Sequence, residues 1–222
     1  MGWTNMLQQL SVWSVTLPFL AGLFRWRSLA GVRAAAWALT AAALFPQLIR
    51  FVIRERSVEN ALYNAYTIVE YTIMTVLLYR LAGCRHKHVF SLLTAGFIGY
   101  AAGLYTRQSV TARFWYEMAC YDNLVYTGLI LWIIYRQMDA QRFVLRRHDE
   151  AFWFVASILV YAPVSLFALS LWPWMGMPDP PLVVRAAKMV NDVANTILYL
   201  GFTIGLCATS EAVPVNTLKH DI

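Results

Sequence analysis

One stretch decides the fold class: residues 151–172 read AFWFVASILVYAPVSLFALSLW, which is 22 consecutive positions without a charged side chain. A helix of that length rises about 33 Å and therefore crosses a hydrocarbon core about 30 Å thick. Six more runs of similar length and apolar character occur elsewhere in the chain. The sequence predicts an all-α polytopic membrane protein, with residues 1–222 forming a single domain and one bundle of seven transmembrane helices. The predicted helices lie at about 3–24, 34–53, 60–80, 89–106, 114–136, 151–172 and 182–209.

The composition agrees with that class. Hydrophobic residues make up 59% of the 222 positions and charged residues only 14%, against roughly 25% charged residues in a soluble domain. The connections between the apolar runs are too short to hold a soluble domain, and short connections place successive helices side by side and antiparallel. Any activity must therefore reside between the helices.

The basic residues indicate both the orientation and the partners. They are spread over the loops instead of forming one stripe, so the net charge of +6 predicts contact with membrane lipid and no binding of nucleic acid. Counted over alternate loops, 11 of the 18 Lys and Arg residues fall on the side of the carboxyl terminus and 7 on the other side. The positive-inside rule then places the amino terminus outside and the carboxyl terminus in the cytoplasm.

Three of the predicted helices carry carboxylates where hydrocarbon should be. Glu70, Asp122 and Asp192 each lie about 12 to 15 Å from the predicted outer end of their helix, at 1.5 Å per residue. An ionised carboxylate at that depth costs a few kcal/mol or more, so such groups usually face the bundle interior and mark function. We predict an outward-facing polar pocket with these acids as its charged ligand contacts. The other predicted contacts are hydrogen-bonding amides, tyrosine walls and a basic residue on the face of the last helix: Asn123, Asn191, Asn195, Tyr63, Tyr66, Tyr199 and Lys188.

Other interpretations of these residues remain open. Polar groups that bond across helices contribute about 0.6 to 2 kcal/mol, so the same side chains could serve only to fix the bundle. Asp192 could pair with Lys188, one turn earlier on the same helix, and be structural. A desolvated Glu70 would instead suit proton relay or pH sensing.

Familiar catalytic and cofactor motifs are missing from the sequence. All four histidines fall in predicted loops, so no metal site is expected within the bundle. There is no Gly-rich phosphate loop, no HExxH and no GxSxG element, and the last helix lacks a central lysine that could hold retinal. We therefore predict no metal, no cofactor and no identifiable catalytic residue, which favours a protein that is not an enzyme.

Two short segments resemble a known kind of protein. Residues 60–71 read NALYNAYTIVEY and contain Tyr66-Thr67-Ile68-Val69-Glu70, an element similar to one that opens the third helix of uncharacterised seven-helix membrane proteins of Bacteroidota. Residues 191–195 are similar to part of the last helix of those proteins. The resemblance implies a multi-pass protein of a bacterial cytoplasmic (inner) membrane, and it brings no known activity.

The expected function is receptor-like: binding or sensing a small polar or cationic solute or ion in the outward-facing pocket. A secondary transporter or a proton or ion pathway is the alternative, although the predicted inner halves of the pocket helices are almost wholly apolar and offer no continuous polar route. A lipid-modifying membrane enzyme and a non-catalytic membrane scaffold are further alternatives. A homo-oligomer and a membrane partner protein are both compatible with the sequence.

Overall fold

A computed structural model of the protein describes residues 3–52, 55–84, 86–139, 149–175, 177 and 179–208. Within those ranges the chain forms α-helices and one short 3-10 turn (Trp26–Ser28), without strands. The predicted helix ends at residues 53 and 209 lie outside the described residues. The helices are α1 (Trp3–Ser14), α2 (Thr16–Phe24), α3 (Gly31–Val52), α4 (Arg56–Leu81), α5 (Lys87–Arg107), α6 (Tyr116–Asp139), α7 (Glu150–Ser170), α8 (Trp172–Met175) and α9 (Leu182–Cys207).

Six segments of the described chain are long and apolar enough to cross a membrane, which confirms the prediction of an all-helical, multi-pass membrane protein. They are Asn5–Phe24, Gly31–Ile49, Lys87–Arg107, Tyr116–Arg136, Glu150–Ser170 and Leu182–Cys207. The predicted third helix corresponds to α4, which has 26 residues, as many as α9. α4 carries Asn60, Asn64 and Glu70, and it is not among the six segments. The seventh crossing therefore stays a prediction that rests on length.

The first predicted helix forms as two segments. α1 ends at Ser14 and α2 begins at Thr16. The break lies one turn before Pro18, which has no amide hydrogen to donate to that turn. Pro46 in α3 and Pro163 in α7 leave their helices continuous.

Five helices close a ring around a common interior. α3 packs on α4, α4 on α6, α6 on α7, α7 on α9, and α9 on α3. α1 and α2 lie against α9, and α5 contacts α4 and α6 from outside the ring. Side chains from α4, α6, α7 and α9 therefore reach one shared interior.

The close packing of α7 against α9 depends on two glycines. A Cβ added at Gly201 would come within 2.5 Å of the Cβ of Ser157, and one added at Gly205 would come within 2.9 Å of the Phe154 ring. Small residues let helix backbones approach closely, and both glycines lie where α7 and α9 meet. Gly99 of α5 differs, because an added Cβ there would meet nothing within 4 Å.

The two ends of the bundle differ. We call the end that holds the first turns of α4, α6 and α9 the cavity end. At the opposite end, the guanidinium groups of Arg25 and Arg33 donate to the carbonyl of Ala208 over 3.3 and 2.7 Å. Arg33 also forms an ion pair with Glu150. These bonds tie the beginnings of α3 and α7 to the end of α9, so that end is held shut by its own side chains.

Candidate functional site

Two of the three predicted acids meet in the bundle interior. Asp122 on α6 is only 2% exposed, and its carboxyl group interacts electrostatically with that of Glu70 on α4. The Nδ2 of Asn123 donates to Asp122 over 2.8 Å and to the carbonyl of Ala119 over 2.7 Å. We call Glu70 and Asp122 the acid pair.

Tyrosines surround the acid pair from three helices. Tyr66, one turn before Glu70 on α4, interacts with the Glu70 carboxyl group and with Tyr199 of α9. Tyr161 of α7 and Tyr126 of α6 interact with both acids. Phenolic hydroxyls both donate and accept hydrogen bonds, so this arrangement can hold a proton or a small cation as well as stabilise the helices.

Asn191 joins this cluster through α7. The hydroxyl of Ser165 donates to Oδ1 of Asn191 over 2.7 Å, and Tyr161 lies beside Ser165, one turn earlier on α7. A line of polar groups therefore runs from α9 through α7 to Glu70. Ser165 is 1% exposed, so this line is internal.

Asp192 and Asn195 belong to a second polar group, which faces α1. Asp192 interacts electrostatically with Lys188 and lies beside Ser11 of α1. Asn195 donates from Nδ2 to the hydroxyl of Ser11 over 2.9 Å, and Lys188 donates to Oε1 of Gln8 over 3.4 Å. Within the described residues no contact joins Asp192 to the acid pair.

A cavity of about 680 Å³ opens at the cavity end of the bundle. It lies between α4, the connection from α5 to α6, α8 and α9. Its lining contains three basic residues, one asparagine and an apolar and aromatic remainder: Arg56, Asn60, Ala112, Arg113, Phe114, Tyr116, Trp172, Pro173, Met175 and Lys188. Among these described lining residues there is no carboxylate.

The loop before α6 is held in place by α4. Asn64, 2% exposed, donates from Nδ2 to the carbonyls of Val110 and Arg113 over 2.9 and 3.0 Å, and its Oδ1 accepts from the amide of Trp115 over 2.8 Å. Asn60, one turn earlier, donates to the carbonyl of Thr111 over 3.1 Å. The cavity wall at Arg113 is thus positioned by the buried side chain of Asn64 and the partly exposed side chain of Asn60.

Three aromatic side chains, which we call the aromatic layer, connect the cavity wall with the tyrosines around the acid pair. The rings of Phe114 and Trp172, both in the cavity wall, meet edge to face with centroids 5.3 Å apart. The ring of Tyr63 meets that of Phe114 edge to face with centroids 6.4 Å apart, and Tyr63 interacts in turn with Tyr199. Tyr63 therefore links the cavity wall to the tyrosines around the acid pair.

The structure thus distributes the predicted contacts over four places, of which the interior cluster is the acid pair with the polar side chains around it. Glu70, Asp122, Asn123, Asn191, Tyr66 and Tyr199 lie in or beside the interior cluster; Asp192 and Asn195 face α1; Lys188 lines the cavity; and Tyr63 lies in the aromatic layer. The sequence reasoning missed three residues beside the acid pair, Tyr126, Tyr161 and Ser165. Their spacing held a signal, since Tyr126 follows Asp122 by four residues and Ser165 follows Tyr161 by four, which places each pair on one helix face.

Known proteins give no further guide, because the sequence matches no family, no curated protein and no solved structure. The function is therefore argued from geometry, and the resemblance of residues 60–71 to the Bacteroidota proteins stays a prediction.

Proposed function

We propose that this protein is a receptor-like membrane protein that binds a small solute in the cavity at the cavity end of its bundle. The observation that carries the proposal is the cavity itself. Its volume of about 680 Å³ lies within the range of about 300 to 1,000 Å³ typical of small-molecule sites. Apolar walls with a few convergent polar groups are also typical of such sites.

Access from one side favours binding or sensing over transport. Below the aromatic layer and the acid pair, the interior is filled by large apolar side chains, among them Leu77, Ile130 and Phe202, each 0% exposed. The arginine bonds to Ala208 hold the opposite end shut. A transporter needs access from both faces, so this arrangement supports a receptor more than a carrier.

The proposed topology has seven crossings, with α4 as the third and the cavity facing outward in a bacterial cytoplasmic membrane. The ring packing of α4 between α3 and α6 supports this crossing. Cys84 lies exposed at the opposite end of the bundle. We use a variant that keeps Cys84 and replaces the other two cysteines by serine. A membrane-impermeant maleimide should leave Cys84 unlabelled in intact spheroplasts and label it once the membrane is permeabilised. Labelling without permeabilisation would reverse the orientation.

Solute binding is tested by the thermal stability of the purified protein in phosphatidylcholine nanodiscs with a panel of amino acids, sugars, amines, carboxylates and phosphate esters. A bound ligand stabilises the folded state by RT ln(1 + [L]/Kd), so a binding solute raises the melting temperature. Ala112→Trp, which fills the cavity, should abolish the shift. Ala102→Trp on the exposed face of α5 is the matched control and should retain it.

The proposal fails if no member of the panel raises the melting temperature, or if the shift survives in Ala112→Trp. The second of these outcomes would place binding elsewhere in the protein.

A second candidate function is uptake of a proton or monovalent cation by the acid pair. The observation that favours it is a pair of buried polar atoms that have no hydrogen-bond partner among the described residues: the hydroxyl of Tyr126 and Oδ1 of Asn123. Tyr126 is 0% exposed and interacts with both acids. Two neighbouring carboxyl groups are stabilised by a proton or cation held between them, and the unpartnered oxygens could complete its coordination. Replacing choline by sodium should then raise the melting temperature of the wild-type protein and leave that of Glu70→Gln unchanged.

A further inference from the structure

The cavity is positively charged on three sides. Arg56 enters from the first turn of α4, Arg113 from the loop before α6, and Lys188 from α9. Three separate elements therefore place a cation at one cavity, and the lining residues supply no carboxylate in return. Such convergence favours an anionic ligand.

Nearby acids compensate two of these three charges. Arg113 is bonded to Glu117 over 2.5 Å, and Lys188 interacts with Asp192. Arg56 has no ion-pair partner within the described part of the chain. One positive charge is thus left for the ligand, and a monoanion matches it better than a dianion would.

The orientation of Arg113 leaves it able to contact a ligand. Its Nε donates to Gln108 and its Nη2 to Glu117, while its guanidinium carbon lies 5.6 Å from the centroid of the Tyr116 ring. These contacts hold the planar group in one orientation beside an aromatic face. The remaining nitrogen, Nη1, has no bond to any described residue and is free to donate.

The rest of the wall is apolar. Phe114 and Trp172 supply aromatic surface, and Pro173 and Met175 continue it on α8. A ligand that fills this space needs an apolar body as well as its charge, because burial of apolar surface against the wall stabilises the complex.

We infer that the cavity is specific for a small amphiphilic monoanion, whose charged group is held by Arg56 and Arg113 and whose apolar body lies against Phe114 and Trp172. The inference rests on the proposed function and names the ligand class of the same cavity. A free aromatic or aliphatic carboxylate and the phosphodiester of an anionic lipid share this chemistry. Both carry one negative charge next to an apolar portion.

The test measures binding of three probes of one shape to the full-length protein in phosphatidylcholine nanodiscs: phenylacetate, phenylacetamide and 2-phenylethylamine. We expect phenylacetate to bind at least about tenfold more tightly than the neutral amide, because it adds a charge-assisted contact. The amine should bind most weakly. High salt should weaken the binding of phenylacetate and leave the affinity for the amide unchanged, since salt screens interactions between exposed charges.

Two variants test whether Arg56 binds the charged group of the ligand. Arg56→Gln should lower the affinity for phenylacetate by about tenfold and leave the affinity for phenylacetamide unchanged. Arg107→Gln removes an exposed arginine from the end of α5 that does not line the cavity, and it should leave both affinities as in the wild type. If Arg107→Gln lowers the affinity for phenylacetate as much as Arg56→Gln does, the net positive charge of the surface attracts the anion and the cavity arginine does not. This result would overturn the inference.

Nanodiscs that contain phosphatidylglycerol distinguish the two sources. If that lipid competes with phenylacetate, the natural ligand of the cavity is a lipid anion. If phenylacetate binds as before, the natural ligand is a free solute. Both results support the inference. Equal affinity for phenylacetate and phenylacetamide would overturn the inference while leaving the cavity as a binding site. If neither these probes nor any member of the wider panel binds, the proposed function falls as well.

Discussion

Replacement of Asn64 by alanine should loosen the cavity wall, and its effect can be worked out from three bonds. The side chain joins α4 to the carbonyls of Val110 and Arg113 and to the amide of Trp115. Each hydrogen bond contributes about 1 kcal/mol net, so their loss costs about 3 kcal/mol. Alanine is the better helix former by about 0.5 kcal/mol, which offsets a small part. The expected net loss in the free energy of unfolding is about 2 to 3 kcal/mol.

Asn60→Ala is the matched control. It makes the same change one turn earlier on α4 and removes one bond, to the carbonyl of Thr111. Because this site is partly exposed and water can replace the lost donor, the expected cost is about 0.5 to 1 kcal/mol. Reversible unfolding in mixed micelles, followed by far-ultraviolet circular dichroism, compares the two variants with the wild type.

A second readout separates a local effect from a global one. In Asn64→Ala the loop loses three of its four side-chain bonds to α4 and keeps that of Asn60, so trypsin should cleave after Arg113 faster in the folded protein than it does in the wild type or in Asn60→Ala. Equal stability of the two variants, or an unchanged rate of cleavage, would refute the argument that Asn64 positions the cavity wall.

Three further predictions concern the interior. Gly201→Ala should destabilise the protein, because overpacking costs about 1 to 3 kcal/mol and outweighs a gain of about 1 kcal/mol in helix propensity; Gly99→Ala, with open space around it, should be neutral or stabilising in the same unfolding assay. Ser165→Ala should cost about 1 to 2 kcal/mol by removing the bond from α7 to α9, whereas Ser170→Ala, which loses a bond within its own helix, should change little. Glu70→Gln should remove the sodium-dependent rise in melting temperature, and a rise that persists in this variant would exclude the acid pair as the cation site.

The helices were predictable from the sequence because composition alone decides which segments tolerate hydrocarbon. The ends of the helices were harder to predict. α4 begins at Arg56, four residues before the predicted start, because its first turn is polar and therefore carries no apolar signal. The four-residue α8 was not predicted, since Trp172–Met175 is too short to show a period.

The sequence predicts a similar distance of the three acids from the ends of their helices, but it did not predict the direction of each side chain. Neighbouring residues on a helix point about 100° apart, and Asn191 and Asp192 show the consequence. Asn191 bonds to α7, whereas Asp192 faces α1. A similar predicted depth therefore did not bring the third acid to the other two. Which neighbour each face meets is decided by the packing of the whole bundle, which a single sequence does not display.

One helix connects the two polar regions. α4 lines the cavity through Arg56 and Asn60, holds the cavity loop through Asn64, and contributes Tyr66 and Glu70 to the interior cluster. A ligand that draws Arg56 and the loop together would act directly on this helix, and a rigid helix transmits such a displacement along its length. α4 is also the most polar of the long helices, so its position depends on its partners more than on the surrounding lipid. A binding event at the cavity and the protonation or cation occupancy of the acid pair should therefore influence each other, and linkage requires that influence to be reciprocal.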